Sequence, residues 1–162
     1  LEIGCGYGQW MIPLGRLIAT VDGFDIHESL IKKGWEKFDA HHARNCFISL
    51  GDGKTIPIAL VKTGFDLVYS ISVFQHMPRA IVFGYLAETV RVMKPTGRAV
   101  FHFRLDDNDG PYSKDIDVNH KGDWSVGWTL EEAANACSSV GLRIIQHAEG
   151  GNTLLIKAER AA

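Results

Sequence analysis

The sequence predicts an α/β fold with a mainly parallel sheet. Short apolar runs alternate with stretches of helical periodicity along the 162 residues, and this alternation is typical of parallel strands joined by crossover helices. A turn containing Gly4, Gly6 and Gly8 separates the first apolar run from the first helical stretch. Two final apolar runs flank Gly-Gly-Asn at 150–152 and predict an antiparallel hairpin. The length fits one domain, residues 1–162.

The first three strands are predicted at residues 1–3, 20–25 and 46–50, each followed by a turn or helix. The first helix is predicted from a helical repeat of apolar residues, namely Trp10, Met11, Leu14, Leu17 and Ile18. The second helix spans about 28–41, with an apolar face formed by Leu30, Ile31, Trp35 and Phe38. Gly34 in its middle is expected to weaken this helix by about 1 kcal/mol relative to alanine.

The fourth strand is predicted at 65–71, because this run is apolar on both faces, as in a buried parallel strand. Pro78 fits the first turn of the next helix, where the missing N–H costs nothing. Lys94 and Pro95 are expected to end that helix. A fifth strand then runs from Gly97 through Phe103.

Residues 104–127 show no clear period and are interpreted as a long connection. Thr129 and Glu132 have the spacing of a capping box, which predicts a helix that begins there and ends near Gly141. The hairpin strands follow at 142–148 and 153–158.

Composition argues against several classes of protein. Seventeen Lys and Arg against nineteen Asp and Glu give a net charge of −2, so the broad basic field typical of nucleic-acid binding is not expected. Cys5, Cys46 and Cys137 are odd in number and widely spaced, which fits neither a disulfide framework nor a zinc site and favours a cytoplasmic protein. No apolar run approaches the roughly 20 residues of a membrane helix. The chain opens at Leu1 without a methionine, which we interpret as a truncated N-terminus.

The glycine turn is the strongest functional signal. Glycine is required where the backbone must approach a ligand closely or adopt positive φ, and the start of the following helix offers free N–H groups. The spacing differs from the dinucleotide fingerprint Gly-x-Gly-x-x-Gly, because the third glycine comes one residue early, at Gly8. A ligand is therefore expected against this backbone.

With this turn, the chain resembles the class I S-adenosylmethionine-dependent methyltransferases, in particular those acting on small molecules. The family's acidic-x-Gly-x-Gly-x-Gly motif is matched by Glu2, Gly4, Gly6 and Gly8, with Cys5 inside it. The resemblance implies that this segment cradles the methionine and ribose portion of the cofactor. It extends from Leu1 to about Arg160.

Further positions follow in the family's order. The resemblance implies that Asp25 binds both ribose hydroxyls and that Ile26 packs on the adenine. It also implies that the Asp52 carboxylate, with Gly53 beside it, accepts a hydrogen bond from the adenine amino group. The alternative is that these residues form a simple Gly/Asp turn. Ser70 and Ile71, at the carboxyl end of the fourth strand, complete the predicted cofactor set.

The catalytic and acceptor residues are less determined. His76 is a candidate general base, and the alternative is that it orders its loop by hydrogen bonds. Phe74, Arg104 and Tyr112 are candidate acceptor contacts, and His102 also lies near the end of its strand. Core or surface roles are the alternative for Arg104 and His102. No metal site is expected.

The resemblance implies a three-layer sandwich with seven strands in the order 3-2-1-4-5-7-6, strand 7 alone being antiparallel. The expected reaction is methyl transfer from S-adenosylmethionine to a small-molecule acceptor, which leaves S-adenosylhomocysteine.

An inactive or accessory cofactor-binding module is one alternative. A nicotinamide-dependent oxidoreductase is the other, disfavoured by the glycine spacing and the final hairpin. Since the family's N-terminal helices are absent, cofactor binding weaker than in a full-length parent is expected. The oligomeric state is left open.

Overall fold

The computed structural model describes residues 1–60, 64–106 and 125–161. The chain forms two compact units, Leu1–Gly64 and Phe65–Ala162. Each unit has its own strands and helices. The single domain predicted from length stays a prediction.

The first unit is a parallel three-stranded arrangement with helices between its strands. Its elements are β1 (Glu2–Ile3), α1 (Met11–Gly15), β2 (Val21–Asp25), α2 (Glu28–Ala40), β3 (Cys46–Leu50) and a 3₁₀ turn at Ile58–Leu60. The strand order is β3-β2-β1, with Ile3 opposite Phe24 and Asp25 opposite Leu50. All three strands end at the same edge, where the glycine turn begins.

Helix α1 is shorter than predicted. It ends at Gly15, and Leu17 is 80% exposed, so Leu17 and Ile18 do not extend a buried helical face. The physical reason is Asn45, whose side-chain amide donates to the carbonyl oxygens of Gly15 and Ile18 at 2.8 and 3.1 Å. Because Asn45 occupies these carbonyls at the end of the helix, the chain turns towards β2 instead of continuing as helix.

Helix α2 packs through a narrower face than predicted. Its buried residues are Ile31, Gly34 and Phe38, whereas Trp35 is 45% exposed. Gly34 lies so close to the sheet that a Cβ there would be 3.0 Å from Cδ1 of Ile48. The glycine that costs helix propensity thus permits close contact between helix and strand.

The second unit carries the remaining elements. They are β4 (Phe65–Ser70), a 3₁₀ turn (Phe74–His76), α3 (Arg79–Val92), β5 (Met93–Leu105), β6 (Gly127–Trp128), α4 (Leu130–Ser139), β7 (Leu142–Gly150) and β8 (Thr153–Arg160). The strand order is β4-β5-β8-β7, with the short β6 parallel to β5. Strand β8 is antiparallel to both neighbours, so the predicted hairpin is confirmed.

The α/β prediction is confirmed in each unit. The short strand β6 was not predicted, and it shifts the numbering, so the predicted sixth and seventh strands are β7 and β8. With that change, β3-β2-β1 and β4-β5-β8-β7 are the two halves of the predicted order.

Helix α3 ends at Val92, just before the expected stop at Lys94 and Pro95, and β5 begins at Met93, four residues earlier than predicted. Proline restricts the preceding residue to extended backbone, so Lys94 cannot continue the helix. The pairing with β4 shifts between Phe65 and Leu67, which absorbs Pro95 in a bulge. Pro78 lies at the N-cap of α3, one position before the predicted first turn.

The capping box is confirmed. The Thr129 hydroxyl accepts from the Glu132 N–H at 3.1 Å, and the Glu132 carboxylate accepts from the Thr129 N–H at 2.9 Å. Arg79 joins this corner: its guanidinium donates to the Gly127 carbonyl at 2.7 Å and stacks over the Trp128 ring at 4.2 Å. These contacts attach α3 and α4 to β6.

Candidate cofactor site

The glycine turn has the backbone that its residue types predict. Gly4, Gly6 and Gly8 have φ values of 71°, 55° and 76°. The amides of Gly4 and Cys5 both donate to the Phe24 carbonyl at 3.0 Å, which holds the start of the turn on β2. Side chains at these three positions would strain the backbone.

Asp25 at the end of β2 holds the middle of the turn. Its Oδ2 accepts from the Gly6 N–H at 2.9 Å, and its Oδ1 accepts from the His27 N–H at 3.0 Å. The His27 ring nitrogen Nδ1 also lies 2.9 Å from Oδ1. A carboxylate offers about four acceptor sites, so hydrogen-bonding capacity is left on this group. An asparagine would place an NH₂ against one of the two amide donors, so an acid is required here.

The glycines of the turn serve different purposes. A Cβ on Gly6 would have no atom within 4 Å, so the backbone there borders open space. A Cβ on Gly8 would lie 2.5 Å from the Phe38 ring, so Gly8 is needed for packing against α2. Of these two glycines, Gly6 is therefore the one at which a ligand can approach the backbone.

Cys5 offers only its backbone to the predicted cofactor turn. Its side chain is buried in the core cluster with Met11 and Phe38, so it cannot reach a ligand; its backbone alone is available. Burial raises the pKa of the Cys5 thiol, and the negative charges of Glu2 and Asp25 raise it further. Glu2 itself is a buried carboxylate at the first position of β1.

The predicted adenine-binding residues lie at the ends of β2 and β3. Ile26 is 54% exposed, and its Cγ2 would be 3.3 Å from a Cβ on Gly53. The Asp52 carboxylate accepts from the Thr55 and Lys54 amides at 2.7 and 2.8 Å, and these bonds lower its pKa. Asp52 therefore shapes its own turn, while the exposed face of Ile26 offers an apolar surface beside it.

In the second unit, the predicted residues separate into buried and accessible groups. Ser70 is fully buried at the end of β4, and Ile71 is half-buried. His76 is exposed in the 3₁₀ turn, with its Nε2 3.1 Å from the Gln75 amide nitrogen. Arg104 is half-buried on β5. Tyr112 lies outside the described residues.

The structure corrects the expectation that the Phe74 side chain contacts the acceptor. Its ring is fully buried and packs against Phe101 and Phe103, with ring centroids 5.3 and 5.5 Å apart. A closed aromatic core forms here because consecutive inward positions of β5 are phenylalanines. The Phe74 side chain is thus a core anchor for its turn and not an acceptor contact.

Sequence reasoning missed a contact between Ser72 and His102. Ser72 has φ of 59°, the left-handed region that side chains disfavour. Its N–H donates to Nδ1 of His102 at 2.9 Å, and its Oγ lies 3.2 Å from the same nitrogen. Burial lowers the pKa of His102. No local sequence pattern marks this pair, because Ser72 lies in the loop after β4 and His102 lies on β5.

The acid that braces the glycine turn lies at the carboxyl ends of parallel strands, which is where open α/β sheets bind their ligands. The family model described as "Methyltransferase domain" matches residues 1–97. The chain therefore belongs to this methyltransferase domain family.

Relatives and solved structures agree with this family. The chain is 28% identical over 143 residues to the sterol 4-C-methyltransferase strm-1 of Caenorhabditis elegans, covering 88% of this chain and 39% of the relative. It is 32% identical over 99 residues to a ubiquinone biosynthesis O-methyltransferase of Bartonella tribocorum, covering 60% and 37%. A crystal structure of an S-adenosylmethionine-dependent methyltransferase from Clostridium acetobutylicum matches 99% of this chain and 83% of its own, with a TM-score of 0.80 and 11% identity.

The last comparison confirms the fold of the described chain, since likeness at this identity concerns structure alone. The chain spans about two fifths of the length of the curated relatives it matches. No helix in the part of the chain that the structure describes is long and apolar enough to cross a membrane.

Proposed function

We propose that this chain is an S-adenosylmethionine-dependent methyltransferase domain that acts on a small-molecule acceptor. The observation that carries the proposal is the bond between the Gly6 amide and the Asp25 carboxylate, beside a backbone open to a ligand. The named relatives, which act on a sterol and in ubiquinone biosynthesis, support a small-molecule acceptor.

The residues of the first unit fit the cofactor. The Asp25 carboxylate has acceptor capacity left for hydroxyl donors, and charge makes such bonds stronger than neutral ones. Gly6 leaves space where a side chain would otherwise stand. The exposed Ile26 offers an apolar face of the kind that a flat heteroaromatic ring covers. Glu2, Gly4, Asp52 and Gly53 belong to the same proposed set, together with Ser70 and Ile71.

S-adenosylmethionine, when bound, supplies a methyl group already activated by the positive charge of its sulfonium. The protein's task is then mainly to align the reactants and exclude water. A base is needed only where the acceptor must lose a proton. His76 is the proposed base for that case, because its ring is exposed in the turn after β4. Three buried thiols, Cys5, Cys46 and Cys137, support the proposal that the protein is cytoplasmic.

Isothermal titration calorimetry with S-adenosylhomocysteine tests the proposal. The parent chain is expected to bind it and not NAD. Asp25→Ala removes the carboxylate that accepts hydrogen bonds from the Gly6 and His27 amides. We expect it to weaken binding of S-adenosylhomocysteine at least about tenfold. Asp22→Ala is the matched control, since Asp22 lies on the same strand without a bond to the glycine turn, and its affinity should stay within about twofold of the parent.

Other outcomes would identify the alternatives. No binding of S-adenosylhomocysteine by the parent would contradict the proposal. Binding of NAD instead would favour a nicotinamide-dependent oxidoreductase. Binding of S-adenosylhomocysteine without turnover on any acceptor would favour an accessory module.

A further inference from the structure

The loop between β4 and the 3₁₀ turn is fixed at both ends but strained in the middle. It leaves β4 after the buried Ser70 and is anchored again at Phe74, inside the aromatic core. One residue after Phe74, the Gln75 carbonyl accepts a hydrogen bond from the Val126 N–H at 2.8 Å. Ser72 lies between these anchors, with φ of 59°.

A non-glycine residue in the left-handed region of backbone conformation costs about 1 kcal/mol or more in strain. The conformation of Ser72 therefore needs a compensating interaction. The Ser72 N–H donates to Nδ1 of His102 at 2.9 Å, across from β5. The Ser72 Oγ lies 3.2 Å from the same Nδ1. His102 therefore supplies the acceptor that the strained amide needs.

This geometry also assigns the His102 tautomer. Because Nδ1 accepts a hydrogen bond, it carries no proton, and the neutral ring bears its proton on Nε2. Burial lowers the pKa of His102, which favours this neutral form. The acceptor is thus present at neutral pH.

We infer that His102 is a positioning residue that holds the loop after β4 through the Ser72 amide. The inference rests on the proposed function, because the loop begins at Ile71, a proposed cofactor contact, and leads to His76, the proposed base. In this role His102 acts through the backbone of Ser72. A relaxed Ser72 would move Ile71 and His76 together.

Substitutions at His102 separate positioning from packing. His102→Asn keeps an acceptor, because Oδ1 of asparagine is placed on Cγ like Nδ1 of histidine. His102→Ala removes the acceptor. His147→Ala is the matched control for loss of a ring, since His147 is exposed on β7.

Amide hydrogen exchange, followed by NMR, tests the bond itself without any ligand. The Ser72 amide should exchange at least about threefold faster in His102→Ala than in the parent, and at the parent's rate in His102→Asn. Long-range ¹H–¹⁵N spectra should show His102 with its proton on Nε2. A proton on Nδ1, or unchanged Ser72 exchange in His102→Ala, would overturn the inference.

Calorimetry with S-adenosylhomocysteine tests the consequence. His102→Ala should weaken binding about three- to tenfold, His102→Asn should restore it, and His147→Ala should leave it unchanged. Adding Ser72→Gly to His102→Ala should recover part of the loss, because glycine adopts positive φ without strain.

Faster Ser72 exchange with unchanged affinity would overturn the positioning role. A parent that binds no S-adenosylhomocysteine would instead contradict the proposed function, while Ser72 exchange would still report on the bond.

Discussion

The turn after β1 and the loop after β4 both contain left-handed backbone, and they stabilise it by different means. The turn after β1 uses glycine at each such position and adds Asp25 as an acceptor for the Gly6 amide. The loop after β4 uses a serine and adds His102. In the first loop the residue types remove the strain, whereas in the second a side chain from another strand compensates for it. The first loop can therefore be recognised in the sequence, and the second cannot.

The aromatic anchor of the second loop gives the largest expected effect. Phe74→Ala would leave a cavity between Phe101 and Phe103, so we expect the free energy of unfolding to fall by about 3 to 5 kcal/mol. Urea denaturation measures this loss. Phe83→Ala is the control, because Phe83 is partly exposed on α3 and its loss should be far smaller. Equal, small losses for both variants would mean that Phe74 does not anchor its turn.

The next prediction compares two glycines of the first loop. Gly8→Ala combines positive φ with a Cβ 2.5 Å from the Phe38 ring, and we expect a loss of about 2 to 4 kcal/mol in unfolding free energy. Gly6→Ala meets no atom, so backbone strain alone should cost about 1 kcal/mol. Denaturation in urea measures both. If the order were reversed, the close packing of Gly8 against α2 would be refuted.

The fold was predictable where residue types determine local geometry. The capping box of Thr129 and Glu132 and the final hairpin depend on short-range chemistry, and both were located correctly. The end of α1 was predicted wrongly because it is determined by Asn45, thirty residues after Gly15, whose amide donates to the carbonyl of that last helical residue. Apolar periodicity does not report such long-range hydrogen bonds.

The same distinction applies to the candidate site. Gly6 and Asp25 could be found because a glycine turn and an acid at a strand end are both visible in the sequence. Phe74 was misjudged because its position after a central strand is typical of a ligand contact, whereas its packing depends on the two phenylalanines of β5. The role of Ser72 depends on His102, and this pairing follows from tertiary structure alone.

The smallest expected effect is a pH dependence from His102. Burial lowers its pKa below the ordinary value of 6.5, so the unfolded chain binds this proton more readily than the folded chain. The corresponding stability is fully present above pH 6.5 and is lost as pH falls through the lowered folded-state pKa. Arg104 and Lys157 are the charged residues that lie on the same face of the sheet by register, and burial is the cause of the lowered pKa of His102.

His102→Asn isolates this contribution, because it keeps the acceptor but cannot titrate. We expect the parent to lose stability relative to His102→Asn as pH is lowered from 7 to 5, measured by urea denaturation at each pH. The other histidines are common to both chains and cancel in the difference. A difference that stays constant with pH would show that His102 titrates alike in the folded and unfolded chain.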